Sequence, residues 1–391
     1  MLLLRSWSST AVLTLALSAL APVPAWAAPG PPDAARSVQR DADALRDTGV
    51  TGVSARLETE RGTVSVRSGV ADPATRRPVP RDGYLRLGST TKTFVATVVL
   101  QLVGEKRISL DQSVEELLPG VVSRAGNDGR TISVRDLLQH TSGLSDYVHD
   151  VFPEPTAQTY FTHRWRAYAP EELVALALRH EPAFPAGGGW AYSNTNYVLA
   201  GMIIEKVTGR TWDQQVRDRI LRPLGLRDTD TPGTSPFLPA PHASNHQQFS
   251  VNGPLVDTTL PYRPFDSGAD GSMTGTAADL NRFFRALAGG RLLAPAELAV
   301  MRDTVPMPPD SGHPAGTRDG LGLFFTPLSC GGGYLGHGGN GFGYVTRAAT
   351  TADGRRTLTV SVHSRSADPR TAARQEEALN TLIDHALCRA T

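Results

Sequence analysis

The spacing of apolar residues changes along the chain, from alternating near both ends to helical through the middle. Alternation around a turn at 60–62 predicts a β-hairpin at 52–70, and further strands are predicted at 321–325, 334–337, 343–349 and 356–363. Helical spacing predicts helices at 37–47, 89–103, 170–178, 196–208, 212–220, 276–287, 295–302 and 371–387. The segment 230–265 is rich in Pro, Ser, His and Asn, which predicts a long surface excursion.

Strands flanked by helices at both chain ends, with helices between them, indicate an α/β fold. We expect an antiparallel sheet built from about 37–105 and 320–388, carrying a mostly helical insertion at about 106–319. Together these parts form one large unit spanning 28–391. A cleft between the sheet part and the helical part would be the natural place for a substrate.

The first 27 residues have the features of a secretory signal peptide. Arg5 precedes an apolar stretch at 11–21, and Ala25-Trp26-Ala27 fits a signal-peptidase site. No later segment has about 18 consecutive apolar residues, and no cysteine near the cleavage site could carry a lipid. We therefore expect a soluble, secreted protein without a stable membrane anchor. The net charge of +1 gives no indication of nucleic-acid binding.

Two cysteines, Cys330 and Cys388, are present in this chain. In an exported protein a disulfide is their expected state, and it would tie the last helix to the segment before a Gly-rich strand. Two buried thiols are the alternative. Neither cysteine has neighbours at zinc-ligand spacing.

One lysine stands out because the chain otherwise uses arginine. Lys92 is one of only three lysines, and it follows Ser89 by three residues at a predicted helix start. Arginine keeps its proton in proteins, whereas a buried lysine can lose it. The pattern is typical of nucleophilic catalysis, with Ser89 attacking and Lys92 taking its proton. The alternative is an ordinary helix N-cap followed by an exposed lysine.

Two further segments supply polar groups suited to acyl transfer. In 189–197, Tyr192 offers a phenol that can shuttle a proton beside a lysine, and Asn194 offers an amide able to hold a substrate amide. The alternative there is a helix start with Asn194 as the cap and Tyr192 packed. In 336–341, a glycine-rich strand can pair with a peptide-like substrate, and His337 adds a cationic or hydrogen-bonding group. A flexible glycine turn with a surface histidine is the alternative.

Taken together, Ser-x-x-Lys, Tyr-x-Asn and His-x-Gly resemble the motifs of the serine penicillin-recognising enzymes, in the class C β-lactamase-like branch. Within that branch the chain looks most like the secreted D-alanyl-D-alanine carboxypeptidase/transpeptidases of actinomycetes. The resemblance covers about residues 38 to 388, and the cysteine pair falls where those enzymes carry theirs. The supporting stretches are 86–92, 137–144, 192–197, 223–229 and 276–280.

The resemblance implies a β-lactamase/transpeptidase-like fold in which Ser89 is acylated while Lys92 and Tyr192 share its proton. Asn194, His337, Gly339 and Asn340 would bind the substrate. The backbone N–H groups of Ser89 and Asn340 would form the oxyanion hole. It implies no cofactor or metal, and a monomer acting on peptidoglycan stem peptides or another small acyl donor, and acylated by β-lactams.

Two departures from the family pattern concern substrate specificity. The carboxypeptidases carry an arginine shortly before the first cysteine, which holds the terminal carboxylate of the substrate. Here 323–327 contains Phe324 and Phe325 and no arginine. Gly338 and Asn340 stand where those enzymes have threonines. Arg347, on the following strand, is a candidate to reach the same place.

Several functions therefore remain open from the sequence. The leading one is a D-alanyl-D-alanine peptidase, and the second is a D-aminopeptidase, amidase or esterase with Phe324 and Phe325 facing the leaving group. A β-lactamase is the third, and a non-catalytic binder of muropeptides or β-lactams is disfavoured because a binder needs no base. A Ser-His pair between Ser142 and His140 is also conceivable, but a turn-stabilising role for His140 is favoured.

Overall fold

A large antiparallel sheet lies between two groups of helices in the computed structural model, which describes residues 32–233, 235–263 and 268–388. The helices are α1 (Pro32–Asp47), α2 (Thr91–Gly104), α3 (Val114–Leu117), α4 (Val134–Leu138), α5 (Val148–Val151), α6 (Ala157–His163), α7 (Pro170–Ala177), α8 (Thr195–Thr208), α9 (Trp212–Val216), α10 (Arg222–Leu224), α11 (Ala277–Ala288), α12 (Pro295–Met301) and α13 (Pro369–Cys388). The strands are β1 (Gly52–Thr59), β2 (Gly62–Gly69), β3 (Tyr84–Arg86), β4 (His246–Gln248), β5 (Leu255–Asp257), β6 (Thr274–Thr276), β7 (Val305–Pro306), β8 (Arg318–Asp319), β9 (Phe324–Pro327), β10 (Gly333–Gly341), β11 (Tyr344–Thr351), β12 (Thr357–Val362) and β13 (Ser364–Arg365).

The main sheet has eight strands in the order β2-β1-β12-β11-β10-β9-β8-β7. The N-terminal hairpin pairs with β12, so that Val53 lies opposite Val362 and the two ends of the chain share one sheet. The predicted fold class, an antiparallel sheet built from both chain ends and flanked by helices, is confirmed.

Two apolar cores lie on the two faces of this sheet. On one face, α1 and α13 pack against β1, β2, β11 and β12 through buried residues such as Leu45, Leu358 and Leu382. On the other face, α2 is buried in a larger core that extends through α8 and α11 and includes Phe94 stacked on Phe283. Because α2 is buried almost all round, its position relative to the sheet is strongly constrained.

The structure differs from the predicted elements mainly in the segment 230–265. It contains β4 and β5, which join β13 in a three-stranded sheet, and it buries residues including His246, Thr258 and Tyr262. Thr258 donates to the backbone oxygen of Phe342 at the tip of the β10–β11 hairpin. The segment is therefore not a simple surface excursion, because it holds this hairpin in place.

Cys330 and Cys388 are joined in a disulfide that links the β9–β10 turn to the end of α13. Among the described residues, no helix is long and apolar enough to span a membrane. The predicted signal peptide at 1–27 lies outside the described residues.

Candidate active site

Ser89 lies at the junction of strand β3 and helix α2. Residues Gly88–Thr90 form a 3₁₀ turn that runs directly into α2, so Lys92 follows Ser89 by one turn. The side chain of Lys92 therefore returns toward Ser89 instead of toward solvent. Lys92 has 0% exposure, which rules out the exposed lysine of an ordinary helix start.

The amine of Lys92 is surrounded by three oxygens. Its Nζ lies 3.0 Å from Ser89 Oγ, 2.7 Å from Asn194 Oδ1 and 2.6 Å from the backbone oxygen of Asp270. The amide and backbone oxygens can only accept, so they take two N–H bonds and leave the third position of the nitrogen facing the Ser89 hydroxyl. Burial lowers the pKa of Lys92 to about 8, against the raising effects of Asp270 and Asp146.

Asn194 is held so that its oxygen faces Lys92. Its Nδ2 donates to Asp146 Oδ2 at 2.8 Å, and a carboxylate can accept only from the nitrogen end of the amide. Asn194 stands at the N-cap position of α8 but makes no side-chain capping bond, so the ordinary helix-cap alternative does not hold. An amide nitrogen carries two hydrogens, and Asn194 also lines the cleft, so the second N–H is suitably placed for a substrate carbonyl.

Tyr192 packs over the same amine from the helical side of the cleft. Lys92 Nζ lies 5.1 Å from the centre of the Tyr192 ring. Burial raises the pKa of Tyr192 well above its usual value, although a hydrogen bond with Ser89 opposes the shift. The resting group is thus a neutral phenol.

His140 supports this wall of the cleft instead of pairing with Ser142. The rings of His140 and Tyr192 lie 4.2 Å apart, and His140 Nδ1 accepts from the backbone N–H of Ser193. Ser142 Oγ donates to Asn196 Oδ1 at 2.6 Å. Burial lowers the pKa of His140 well below its usual value. The Ser142–His140 pair is therefore not formed, and the turn-stabilising role is the one that the structure contains.

The strand β10 contacts the Ser89 turn backbone to backbone. A Cβ added to Gly339 would lie 1.8 Å from the backbone oxygen of Leu87, and one added to Gly88 would lie 3.0 Å from the Cα of Gly339. Gly88 also has a φ of +50°, which favours glycine. A Cβ added to Gly88 would also lie 3.2 Å from the backbone nitrogen of Asn340, so these two glycines allow the backbone of the Ser89 turn to lie directly against β10 next to Asn340.

One edge of β10 is open beside Ser89. On the β9 side, β10 pairs only from Gly333 to Gly336. Within the described part of the chain, no strand pairs with 337–341 on that side. A peptide-like substrate can add to this edge as an extra strand, as the glycine pattern predicted.

His337 is buried next to this edge and is neutral. Its Nδ1 lies 2.7 Å from the backbone oxygen of Gly338, and burial lowers the pKa of His337 to about 3. Of the two possibilities given by the sequence, the structure thus provides a hydrogen-bonding group and not a cation. Its ring lies 4.6 Å from that of Phe324, which in turn lies 4.6 Å from that of His313.

Arg347 reaches the same corner of the cleft from β11. Its Nη1 donates to Asn340 Oδ1 at 2.7 Å, and its side chain lies across Gly338. Its Nη2 lies 3.3 Å from both carboxylate oxygens of Glu376 on α13. The cleft has a volume of about 370 Å³. Its lining includes Ser89, Tyr192, Asn194, Phe324, His337, Asn340, Arg347 and Glu376.

The residues that the sequence predicts for catalysis or substrate binding thus all lie around one cleft or directly beneath it. They are Ser89, Lys92, Tyr192, Asn194, His337, Gly339 and Asn340. Sequence reasoning did not single out Asp146, Asp270, Gly88 and Glu376. Asp146 follows the stretch 137–144 by two residues, and Gly88 lies inside the stretch 86–92. Asp270 contributes through its backbone oxygen and its charge, and Glu376 contributes through helix packing; neither contribution leaves a motif.

The family described as Beta-lactamase matches residues 36–383 of this chain. Penicillin-binding protein 4 from Amycolatopsis lactamdurans is 31% identical over 277 residues, which are 67% of this chain and 68% of that protein. The crystal structure of a D-stereospecific amidohydrolase from Streptomyces sp. superposes with a TM-score of 0.80 at 38% identity, covering 91% of this chain and 99% of the other. The D-amino acid amidase from Ochrobactrum anthropi SV3 superposes with a TM-score of 0.74 at 28% identity, covering 89% and 99%.

The family match at 36–383 includes every residue of the cleft named above. The chain belongs to the beta-lactamase/transpeptidase-like superfamily of serine hydrolases.

Proposed function

We propose that this protein is an amide hydrolase that cleaves bonds on the carbonyl side of D-amino acids through an acyl-enzyme on Ser89. The nucleophile assignment is supported by Lys92, whose amine is buried, has a lowered pKa and faces the Ser89 hydroxyl at 3.0 Å. The D-amino acid assignment is supported by the likeness to two D-specific amide hydrolases along nearly their whole length.

Neutral Lys92 accepts the Ser89 proton as Oγ attacks the substrate carbonyl, and a C–O bond forms. The oxygen of the tetrahedral intermediate accepts hydrogen bonds from the backbone N–H groups of Ser89 and Asn340. Loss of one such donor typically lowers the turnover rate about 100- to 1,000-fold. As the C–N bond breaks, the proton passes to the leaving nitrogen, directly from Lys92 or through the Tyr192 phenol. Water then attacks the ester carbonyl and gives a proton to Lys92. As the bond between the carbonyl carbon and Ser89 Oγ breaks, Lys92 returns that proton to Oγ, which releases the acid and restores Ser89.

The residues around Phe324 favour a neutral leaving group over a charged one. In the carboxypeptidases that the sequence resembles, an arginine in this region holds a terminal carboxylate, whereas here the Phe324 ring packs between His313 and His337. Both histidines have a pKa lowered by burial, so neither supplies a positive charge near neutral pH. A primary amide or a small amine fits such a surface better than a carboxylate does.

A D-alanyl-D-alanine carboxypeptidase is the second candidate. The observation in its favour is Arg347, whose guanidinium lies against Gly338 on the leaving-group side of Ser89. The likeness to penicillin-binding protein 4 of Amycolatopsis lactamdurans also supports this candidate.

Initial rates on three substrates separate these candidates: D-phenylalaninamide, its L enantiomer, and an N-acylated D-Ala-D-Ala peptide. We expect ammonia release from the D-amide at least about 10-fold faster than from the L-amide, and Ser89→Ala should abolish it. Faster release of D-alanine from the acylated peptide would establish the carboxypeptidase instead. If Ser89→Ala keeps both activities, the acyl-enzyme on Ser89 is refuted.

We also propose that the chain is exported after removal of 1–27. The Cys330–Cys388 disulfide supports this, because such bonds persist in oxidising compartments. The N-terminal sequence of protein recovered from culture medium should begin at Ala28. An uncleaved chain found only inside cells would contradict export.

A further inference from the structure

Two charged side chains line the cleft among the residues that the structure describes, and they belong to the same corner. Arg347 is 19% exposed and Glu376 is 38% exposed, and they meet at 3.3 Å. Because the distance is long and Glu376 is partly in solvent, this pair contributes little to stability. The two charges nevertheless affect the electrostatic potential inside the cleft, because both lie beside the place where the leaving group would bind.

Arg347 is otherwise well placed to bind a carboxylate. One nitrogen is fixed by Asn340, and the guanidinium lies along Gly338, where no side chain covers it. The nitrogen that would complete a two-point contact with a carboxylate is the one that faces Glu376. A second cation, Arg365, donates to the backbone oxygen of Gly341 just outside the cleft. Burial lowers the pKa of Arg365, the charge of Arg347 lowers it further, and the charge of Glu376 opposes both effects. Glu376 is thus the acidic group in a corner that is otherwise cationic.

We propose that Glu376 selects substrates by the charge of their leaving group. By pairing with Arg347 it prevents a carboxylate from binding there, so that the cleft accepts neutral amides. A substrate carboxylate would have to displace Glu376 or lie beside it, and two carboxylates a few ångströms apart repel each other. This inference rests on the proposed acyl transfer by Ser89, and it gives that function its substrate class.

The position of Glu376 is fixed by the fold. Helix α13 packs on the sheet through Leu379, Leu382 and Ile383, and its last residue is bonded to the β9–β10 turn by the disulfide. Glu376 lines the cleft and also an adjacent cavity, whereas its exposed neighbour Glu377 lines the adjacent cavity and is not part of the cleft lining. Glu377 therefore offers a matched control of equal charge on the same helix.

The test uses two acylating probes that differ by one charge, benzylpenicillin and its methyl ester. When the β-lactam ring opens, the leaving nitrogen carries the carbon that bears the carboxylate, so this group lies on the leaving-group side. The ratio of second-order acylation rates, penicillin over ester, is measured by intact mass in wild type, Glu376→Gln and Glu377→Gln. We expect Glu376→Gln to raise the ratio about 10-fold, as removal of a like charge in a cleft of intermediate dielectric constant would, and Glu377→Gln to leave it within about 2-fold.

The double variant Arg347→Gln/Glu376→Gln should lose the gain, because the carboxylate would have no guanidinium to bind. An unchanged ratio in Glu376→Gln, an equal rise in Glu377→Gln, or a gain that persists without Arg347 would each overturn the proposal. Acylation by the neutral ester shows separately whether the site of each variant is intact. If Ser89→Ala is acylated by either probe as fast as the wild type, the Ser89 mechanism fails, and that result differs from every outcome that concerns Glu376.

Discussion

The two walls of the cleft are built in different ways. The helix wall, which comprises Ser89, Lys92, Tyr192 and Asn194, is a network of hydrogen-bonded polar groups centred on the fully buried amine of Lys92. The sheet wall, which comprises 336–340, Arg347 and Glu376, presents glycines, an open strand edge and a loosely paired couple of charges. The helix wall is thus suited to holding the catalytic groups in one arrangement, and the sheet wall is suited to binding a substrate.

This difference separates chemistry from recognition. Moving a proton between Ser89 and Lys92 needs an amine of fixed position and lowered pKa, which only a buried and satisfied network provides. Binding different leaving groups needs exposed contacts that can change without disturbing that network. Substitutions on the helix wall should therefore affect all substrates alike, and those on the sheet wall should affect some substrates more than others.

Lys92→Arg should have the largest effect, because it keeps the positive charge and removes the base. We expect acylation by any probe to fall about 1,000- to 10,000-fold, the upper range for loss of a general base. In the wild type the acylation rate should rise with pH and level off above about 8, since Lys92 must lose its proton to act. Stopped-flow acylation across pH 6 to 10 measures both. A variant that keeps the wild-type rate and pH profile would remove Lys92 from the mechanism.

Replacing both cysteines tests how the sheet wall is anchored. Closing a loop of 58 residues corresponds to about 4 kcal/mol of unfolding free energy in the chain-entropy account. We therefore expect Cys330→Ser/Cys388→Ser to lower the free energy of unfolding by up to about this amount in urea titrations. At temperatures where the variant stays folded, acylation by the neutral ester should remain near the wild-type rate. An equally large loss of that rate would mean that the helix wall also depends on the bridge.

The helix wall was largely predictable from the sequence. In the sheet wall the strand at 336–341 and the candidate Arg347 were predicted, but the contacts that these residues make with distant parts of the chain were not. Ser89 and Lys92 are three residues apart, and Tyr192 and Asn194 two apart, so local spacing brings each pair together. Glu376 meets Arg347 only because α13 crosses β11, and Gly88 meets Gly339 only because the Ser89 turn lies on β10. The charge states of His337 and Tyr192 could not be foreseen either, because burial sets them.

Gly339→Ala should disturb the contact between the two walls. Its Cβ would lie 1.8 Å from the backbone oxygen of Leu87, so the Ser89 turn must move away from β10. We expect about a 100-fold loss of acylation through the oxyanion hole, with about 1–3 kcal/mol of destabilisation. Gly338→Ala is the control, since its Cβ would meet only the flexible side chain of Arg347. Comparable losses in both variants would show that the close backbone contact has no special importance.

Asp146→Asn should give the smallest effect, and its sign is informative. The Asp146 carboxylate favours the protonated form of Lys92 and so raises its pKa, in opposition to burial. An asparagine at this position can still accept from Asn194, so it keeps the orienting contact and removes the charge.

The pH at which acylation is half-maximal should therefore fall below that of the wild type, because Lys92 loses its proton more readily in the variant. The plateau rate should stay within about threefold, since one hydrogen bond to a charged group is exchanged for one to a neutral group. Asp319→Asn is the matched control, because this buried carboxylate bonds to Trp190 and is not among the charges that act on Lys92. A midpoint that rises in Asp146→Asn, or falls equally in Asp319→Asn, would show that the charge of Asp146 does not raise the pKa of Lys92.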